Sequence, residues 1–130
     1  MLYAYTIFYV KDVGATIQFY EQAFGFKKKF VTPEGDYGEL NTGATVLAFA
    51  SIELGKSNFK KGYKPINSEE SPVGVELAFV TDQIESDFNK AIGNGAIVYE
   101  AIVQKPWGQK VGYLRDPNGI LIEICTPIKS

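Results

Sequence analysis

Residues 11–26, "KDVGATIQFYEQAFGF", change the period of the chain. The stretch before them, "LYAYTIFYV" (2–10), has the aromatic and β-branched make-up of a strand. From Val13 onward the apolar residues Val13, Ile17, Tyr20 and Phe24 step by four, three and four, which lays them along one face of a helix. Asp12 suits the N-cap and Gly25 the left-handed residue beyond the C-terminus. Strand-like segments follow at "FKKKFVT" (26–32), "YGELNT" (37–42) and "TVLAFAS" (45–51), with a turn at "PEGD" (33–36). The order is β-α-β-β-β.

The order then repeats. Between the copies, residues 52–72 lose apolar periodicity and gain Lys, Ser, Asn, Gly and Pro. This is a connector, and an irregular stretch of that length serves as a module linker or as a functional flap. "VGVELAFV" (73–80) is a strand, and "TDQIESDFNKAIGNG" (81–95) is a helix with Asp82 and Glu85 spaced as a capping box. "AIVYEAIV" (96–103), "QKVGYLRD" (109–116) and "ILIEIC" (120–125) are strands, with a turn at "DPNG" (116–119). The copies also match residue by residue. Asp12 and Asp82, like Gly25 and Gly95, lie 70 apart; "YGEL" (37–40) answers "VGYL" (111–114) 74 on; "VLAFA" (46–50) answers "LIEIC" (121–125) 75 on. An internal duplication explains all of these offsets. The first module is 1–51, the connector 52–72 and the second module 73–130, forming one domain.

Composition narrows the function. The chain has 130 residues, 45% of them hydrophobic and 14% aromatic, enough to bury a core. A net charge of −2 with scattered Lys and Arg gives no electrostatic case for nucleic acid or an anionic membrane. No apolar stretch approaches the roughly 20 residues that span a bilayer, and the N-terminus lacks the features of a signal peptide. A single cysteine, Cys125, excludes an intrachain disulfide and points to the reducing cytoplasm. The absence of histidine removes Ser–His and Cys–His nucleophile pairs and every metal site built on imidazole. Without such a partner, Cys125 reads as a small buried apolar residue.

The paired modules, with "FYVKDVGATIQFYEQAFGF", "VELAFVTD" and above all "PWGQKVGYLRDPNGILIEICTP", resemble the vicinal-oxygen-chelate superfamily of glyoxalase I, bleomycin-resistance proteins and extradiol dioxygenases. The resemblance covers nearly the whole chain. It implies an α+β fold in which two tandem βαβββ modules form a curved mixed sheet, a half-barrel cup with helices on its outer face. In metal-dependent members four side chains hold a divalent ion at the base of the cup. Carried over one at a time, those positions fall at Tyr5, Ala48, Glu76 and Glu123, so this chain keeps two carboxylates and lacks two of the usual ligands. The family also implies a homodimer.

Strand alternation gives the carboxylates a direction of its own. Gly74, Glu76, Ala78 and Val80 share one face, as do Leu121, Glu123 and Cys125, while Val75/Leu77/Phe79 and Ile120/Ile122/Ile124 are wholly apolar and suit packing under helices. Glu76 and Glu123 therefore point away from the helices, into a cup or into water. Ala44, Val46, Ala48 and Ala50 make a small-residue face with room for a ligand. Glu39, beside Tyr37 and Asn41, lines the same cup or lies exposed. Tyr3, Tyr5, Tyr9, Tyr37, Tyr113 and Trp107 are candidate aromatic walls, and Gln109 a candidate amide contact.

Two readings follow. The first is a binding protein that sequesters an aromatic or cationic small molecule between Glu76, Glu123 and the aromatic walls, since facing carboxylates favour a cation or a shared proton. The second is a lyase or isomerase of the glyoxalase type, with Glu76 and Glu123 catalytic. In that reading a divalent metal such as Mg²⁺, Mn²⁺ or Ni²⁺ is a candidate cofactor, held by Glu76 and Glu123. The shortened ligand set otherwise argues for no cofactor, and dioxygenase chemistry is excluded by the missing histidines.

Overall fold

The computed structural model describes residues 1–128. In chain order the elements are β1 (Tyr5–Val10), α1 (Val13–Phe24), β2 (Lys27–Val31), β3 (Tyr37–Asn41), β4 (Val46–Ser51) and α2 (Ile52–Asn58), then β5 (Glu76–Val80), α3 (Ile84–Gly93), β6 (Ile97–Gln104), β7 (Lys110–Arg115) and β8 (Leu121–Cys125). The expected α+β class and paired βαβββ modules are what the chain forms. The strands make two four-stranded sheets of identical design, ordered β1-β4-β3-β2 and β5-β8-β7-β6. In each, the first strand runs parallel to the fourth and the other pairings are antiparallel.

Contacts divide the chain into two units, Met1–Ile66 and Asn67–Ser130, so the division falls inside the 52–72 stretch. In the first unit α1 begins where Asp12 accepts a hydrogen bond from the Ala15 N–H at 2.9 Å and ends at Gly25, whose φ of 75° needs no side chain in the way. Its buried stripe, Val13, Ile17 and Tyr20, covers one face of the sheet, with Tyr20 stacked on Phe49 of β4. Each such side chain contributes about 1.5–3 kcal/mol through burial. Gly38 lies beneath the helix: a Cβ there would meet Ile17 and Val13 at 3.2 Å. The opposite face of the same sheet carries Tyr37, Glu39 and Ala48.

The connector is less irregular than its composition suggests. Residues 52–58 form the short helix α2, capped by the Ser51 hydroxyl, which accepts from the Leu54 N–H at 3.0 Å. No apolar stripe announces it because only Gly55 is buried, directly under the Tyr63 ring. Tyr63 donates to the Ile52 carbonyl at 2.9 Å and packs with Tyr9 and Phe59.

The second unit repeats the scheme around Ile84, Phe88, Leu114, Ile120 and Ile122. Three expectations are corrected. The strand read over 73–80 begins only at Glu76, and Val75, placed on the helix-facing side, is exposed. Asp82 does not cap α3. Gln83 holds the N-cap position without a side-chain bond, while Thr81 accepts from the Gln83 N–H and Glu85 turns to Lys110. Arg115 ties the start of the unit to its last turn, donating to the carbonyls of Asn67, Ser68, Glu70 and Gly119 at 2.7–3.3 Å.

Candidate functional site

β8 lies between β5 and β7, and its register decides which side chains meet. Ala78 and Tyr113 stand directly opposite Glu123 on the two flanking strands, and Glu76 is opposite Leu121, two residues before Glu123. Residues that alternate share a face, so Glu76, Glu123, Tyr113 and Cys125 lie on one side of the second sheet. The other side carries Gly112, where a Cβ would strike Phe88 of α3 at 2.8 Å. The four polar groups therefore face away from the helix, as alternation requires.

Glu123 is the hub of this cluster. The Tyr113 hydroxyl donates to Glu123 Oε1 at 3.0 Å. Burial, a hydrogen bond with Glu123 and the charge on that carboxylate raise the Glu76 carboxyl above the ordinary glutamate range. Glu76 therefore holds its proton more tightly than an isolated glutamate does. Burial first, then the bond to Glu123 and the charges of Glu123 and Glu76, push the Tyr113 phenol to about 12. The Cys125 thiol is raised by burial and by the same two carboxylates, with a contact from Gln109 opposing. Buried and held in its thiol form, it is the small buried residue that its isolation in the sequence suggests. Neither Glu76 nor Glu123 forms an ion pair with a lysine or arginine among the described residues.

As a metal site the cluster is short of donors. Its hard oxygen donors are the carboxyl groups of Glu76 and Glu123 and the Tyr113 phenol, whose proton is held more tightly than usual. Among the described residues no group of three or more His, Cys, Asp or Glu side chains is arranged to hold a metal ion. The donor set does not fit a resident divalent cation.

The first unit carries a counterpart. Glu39, 6% exposed, stands directly opposite Ala48, and its position in the repeat is that of Tyr113, while Ala48 takes that of Glu123. The carboxylate has moved one strand across. Tyr37 donates to Glu39 Oε2 at 2.7 Å, and Lys29 Nζ lies 3.5 Å from Oε1. Burial first, then the bond and charge of Glu39 and a smaller contribution from Tyr5, raise the Tyr37 phenol. Ala48 is fully covered, directly opposite Glu39. Tyr5 is half exposed on the edge strand β1. The strand-like "FKKKFVT" (26–32) does not single out Lys29; strand pairing brings it to Glu39.

Trp107 and Gln109 lie elsewhere in the second unit. The indole, 62% exposed, donates to Gln109 Oε1 at 2.9 Å, and Gln109 Nε2 donates to the Thr126 carbonyl at 2.9 Å. Together with Asp82, Glu85, Lys110 and Pro127 they line an open cleft of about 310 Å³ at the start of α3. Gln109 links this cleft to the acidic cluster through its contact with Cys125.

Residues 3–124 match the family model described as the Glyoxalase/Bleomycin resistance protein/Dioxygenase superfamily. The uncharacterized protein YwbC of Bacillus subtilis is 31% identical over 117 residues, 88% of each chain. The virulence protein STM3117 of Salmonella typhimurium is 28% identical over 119 residues, 88% of this chain and 76% of that one. Among solved structures, a glyoxalase-related enzyme from Fulvimarina pelagi superposes with a TM-score of 0.83 at 18% identity, covering 98% of this chain and 88% of its own. A family enzyme from Burkholderia phytofirmans gives 0.78 at 23% identity, covering 95% and 96%. No helix among the described residues is long and apolar enough to cross a membrane.

Proposed function

Because this chain belongs to the Glyoxalase/Bleomycin resistance protein/Dioxygenase superfamily, we propose that it is a small-molecule-binding member that takes an organic cation on the Glu76–Glu123 face. One observation carries the reading: Glu76 and Glu123 stand on one face of adjacent strands, with no lysine or arginine among the described residues ion-paired to either. Like charges held together favour a proton or a cation between them, and a cation entering would displace the proton. The phenol of Tyr113, donating to Glu123 Oε1, keeps that carboxylate oriented on this face. The reading also makes the protein a cytoplasmic homodimer without a resident cofactor.

Titration calorimetry with ethidium, an aromatic monocation, tests this against an aromatic anion, 1-anilinonaphthalene-8-sulfonate. Ethidium binds the wild type, and Glu123→Gln loses about tenfold, some 1.4 kcal/mol. Affinity rises with pH as Glu76 gives up its proton. Equal binding of the anion, or a Glu123→Gln variant that binds as well as the wild type, defeats the reading.

A lyase or isomerase reading has the pairing of the two carboxyl groups in its favour. Glu76, which holds its proton more tightly than an isolated glutamate, stands beside Glu123, so one face carries a candidate general acid and a candidate general base. Deuterium uptake from solvent into a bound carbonyl compound, abolished in Glu123→Gln, would favour it over simple binding.

A further inference from the structure

In the open cleft at the start of α3, an unused aromatic surface meets an unused charge. Trp107, the chain's only tryptophan, forms part of its lining. The edge of the ring is spent: the indole N–H donates to Gln109 Oε1, and Gln109 Nε2 donates in turn to the Thr126 carbonyl. The loop that carries the ring is closed by the Lys105 N–H on the Gln109 carbonyl at 2.7 Å and the Gly108 N–H on the Lys105 carbonyl at 2.8 Å. Thr126 is tied to Lys110 twice, its hydroxyl accepting from the Lys110 N–H and its own N–H donating to the Lys110 carbonyl, each at 3.0 Å. The indole is thus held in place with 62% of the residue in water, and no other ring packs on it among the described residues. An aromatic surface fixed in advance offers a ligand contact area at little cost in ordering.

Three charged side chains line the same cleft, Asp82, Glu85 and Lys110, while Lys105 does not. Glu85 and Lys110 pair with each other at 2.8 Å. Asp82 is left over. Its counterpart in the first copy, Asp12, uses its carboxylate on the Ala15 N–H and so caps α1. In the second copy α3 begins without a side-chain cap, and no hydrogen bond or ion pair among the described residues engages Asp82.

We infer that this cleft binds a guanidinium group, stacked on the face of Trp107 and paired with the Asp82 carboxylate, at a site separate from the Glu76–Glu123 face. A guanidinium is planar and weakly hydrated, lies flat on an aromatic ring and gives a carboxylate two parallel N–H donors. An ammonium is a compact, strongly hydrated charge and keeps its water in so open a cleft. A neutral ring would stack as well but leave Asp82 unanswered, and an anion would meet two carboxylates against one ammonium. The volume of about 310 Å³ is at the lower end for small-molecule sites, enough for the group and its alkyl stem. The group belongs to a free guanidinium compound or to an arginine side chain of a peptide.

Because Trp107 has no second tryptophan beside it, the fluorescence of the chain and its one indole N–H resonance report on this cleft alone. The full chain is titrated with N-acetyl-arginine amide, with the citrulline derivative, which keeps the shape without the charge, and with the lysine derivative. Both signals are expected to change saturably with the arginine derivative, and the other two to bind at least fivefold more weakly. Asp82→Asn, which breaks no bond of the fold, should lose at least fivefold, and calorimetry on Trp107→Leu should detect no binding. Equal binding of the citrulline derivative, Asp82→Asn binding like the wild type, or heat of binding without movement of the indole resonance overturns the proposal. The peptide Gly-Gly-Arg-Gly-Gly distinguishes the sources: binding at least tenfold tighter than the amide identifies a polypeptide, binding no tighter identifies a free guanidinium compound, and either upholds the cleft.

Discussion

The two copies of the βαβββ design share strand order, helix placement and even the glycine under each helix, Gly38 in one and Gly112 in the other. They differ in what surrounds the carboxylate on the face away from the helix. The first copy surrounds the buried Glu39 with a phenol and an ammonium from its own chain. The second surrounds the half-buried Glu123 with a phenol and a second carboxyl group. A duplicated framework constrains where side chains point, and it leaves their chemistry free to diverge.

The sharpest way to separate the copies is at their last turns. Asp116, fully buried, accepts from the N–H groups of Asn118 and Ile120, each at 2.8 Å, and from the Asn118 amide at 3.2 Å. Thr42, its counterpart, makes one exposed bond to the Thr45 carbonyl at 2.9 Å. Asp116→Ala strands buried donors and is expected to cost about 3 kcal/mol, against about 0.5 kcal/mol for Thr42→Ala. Urea denaturation of the two variants checks this, and equal losses would mean that the turns are interchangeable.

That asymmetry was only half visible in the sequence. The 70-, 74- and 75-residue offsets disclosed the duplication, and alternation alone put Glu76 and Glu123 on one face, because both signals depend on backbone period rather than on tertiary detail. "DPNG" (116–119) announced a turn but not that Asp116 would be its buried anchor. Helix α2 was hidden because a helix with one buried residue leaves no apolar stripe, and the capping pattern at Asp82 misled because Thr81 and Lys110 compete for the same groups. Lys29 was illegible for a different reason. A bulge shifts the register by one, so which lysine of "KKK" reaches Glu39 depends on pairing across strands that no local pattern encodes.

Breaking the first copy's balance should bring it closer to the second. Lys29→Met removes the ammonium beside a carboxylate that is 6% exposed, leaving Tyr37 as its remaining named partner. Since Lys29 is itself about half exposed, water screens the pair, and the expected loss is about 1 kcal/mol. High salt should shrink the difference between variant and wild type, which denaturation at low and at 1 M NaCl would measure.

The smallest effect has the opposite sign. Glu76 lies diagonally across from Glu123, and its raised pKa means that the folded chain holds the Glu76 proton more tightly than the unfolded chain does. Its contribution to stability is therefore fully present below the unfolded value of about 4.5 and is lost as the pH rises through the higher folded value. Glu76→Gln keeps a donor toward Glu123 and removes the second charge, so it should stabilise the protein at neutral pH by roughly 0.5 kcal/mol, the scale of an unfavourable cross-strand pair. Near pH 4, where the wild-type carboxyl is protonated and resembles the amide, the two proteins should melt together. Melting curves of both from pH 4 to 8 test this, and a variant that gains the same amount at every pH would show that Glu76 and Glu123 do not compete for a proton. The second copy would then be as balanced as the first.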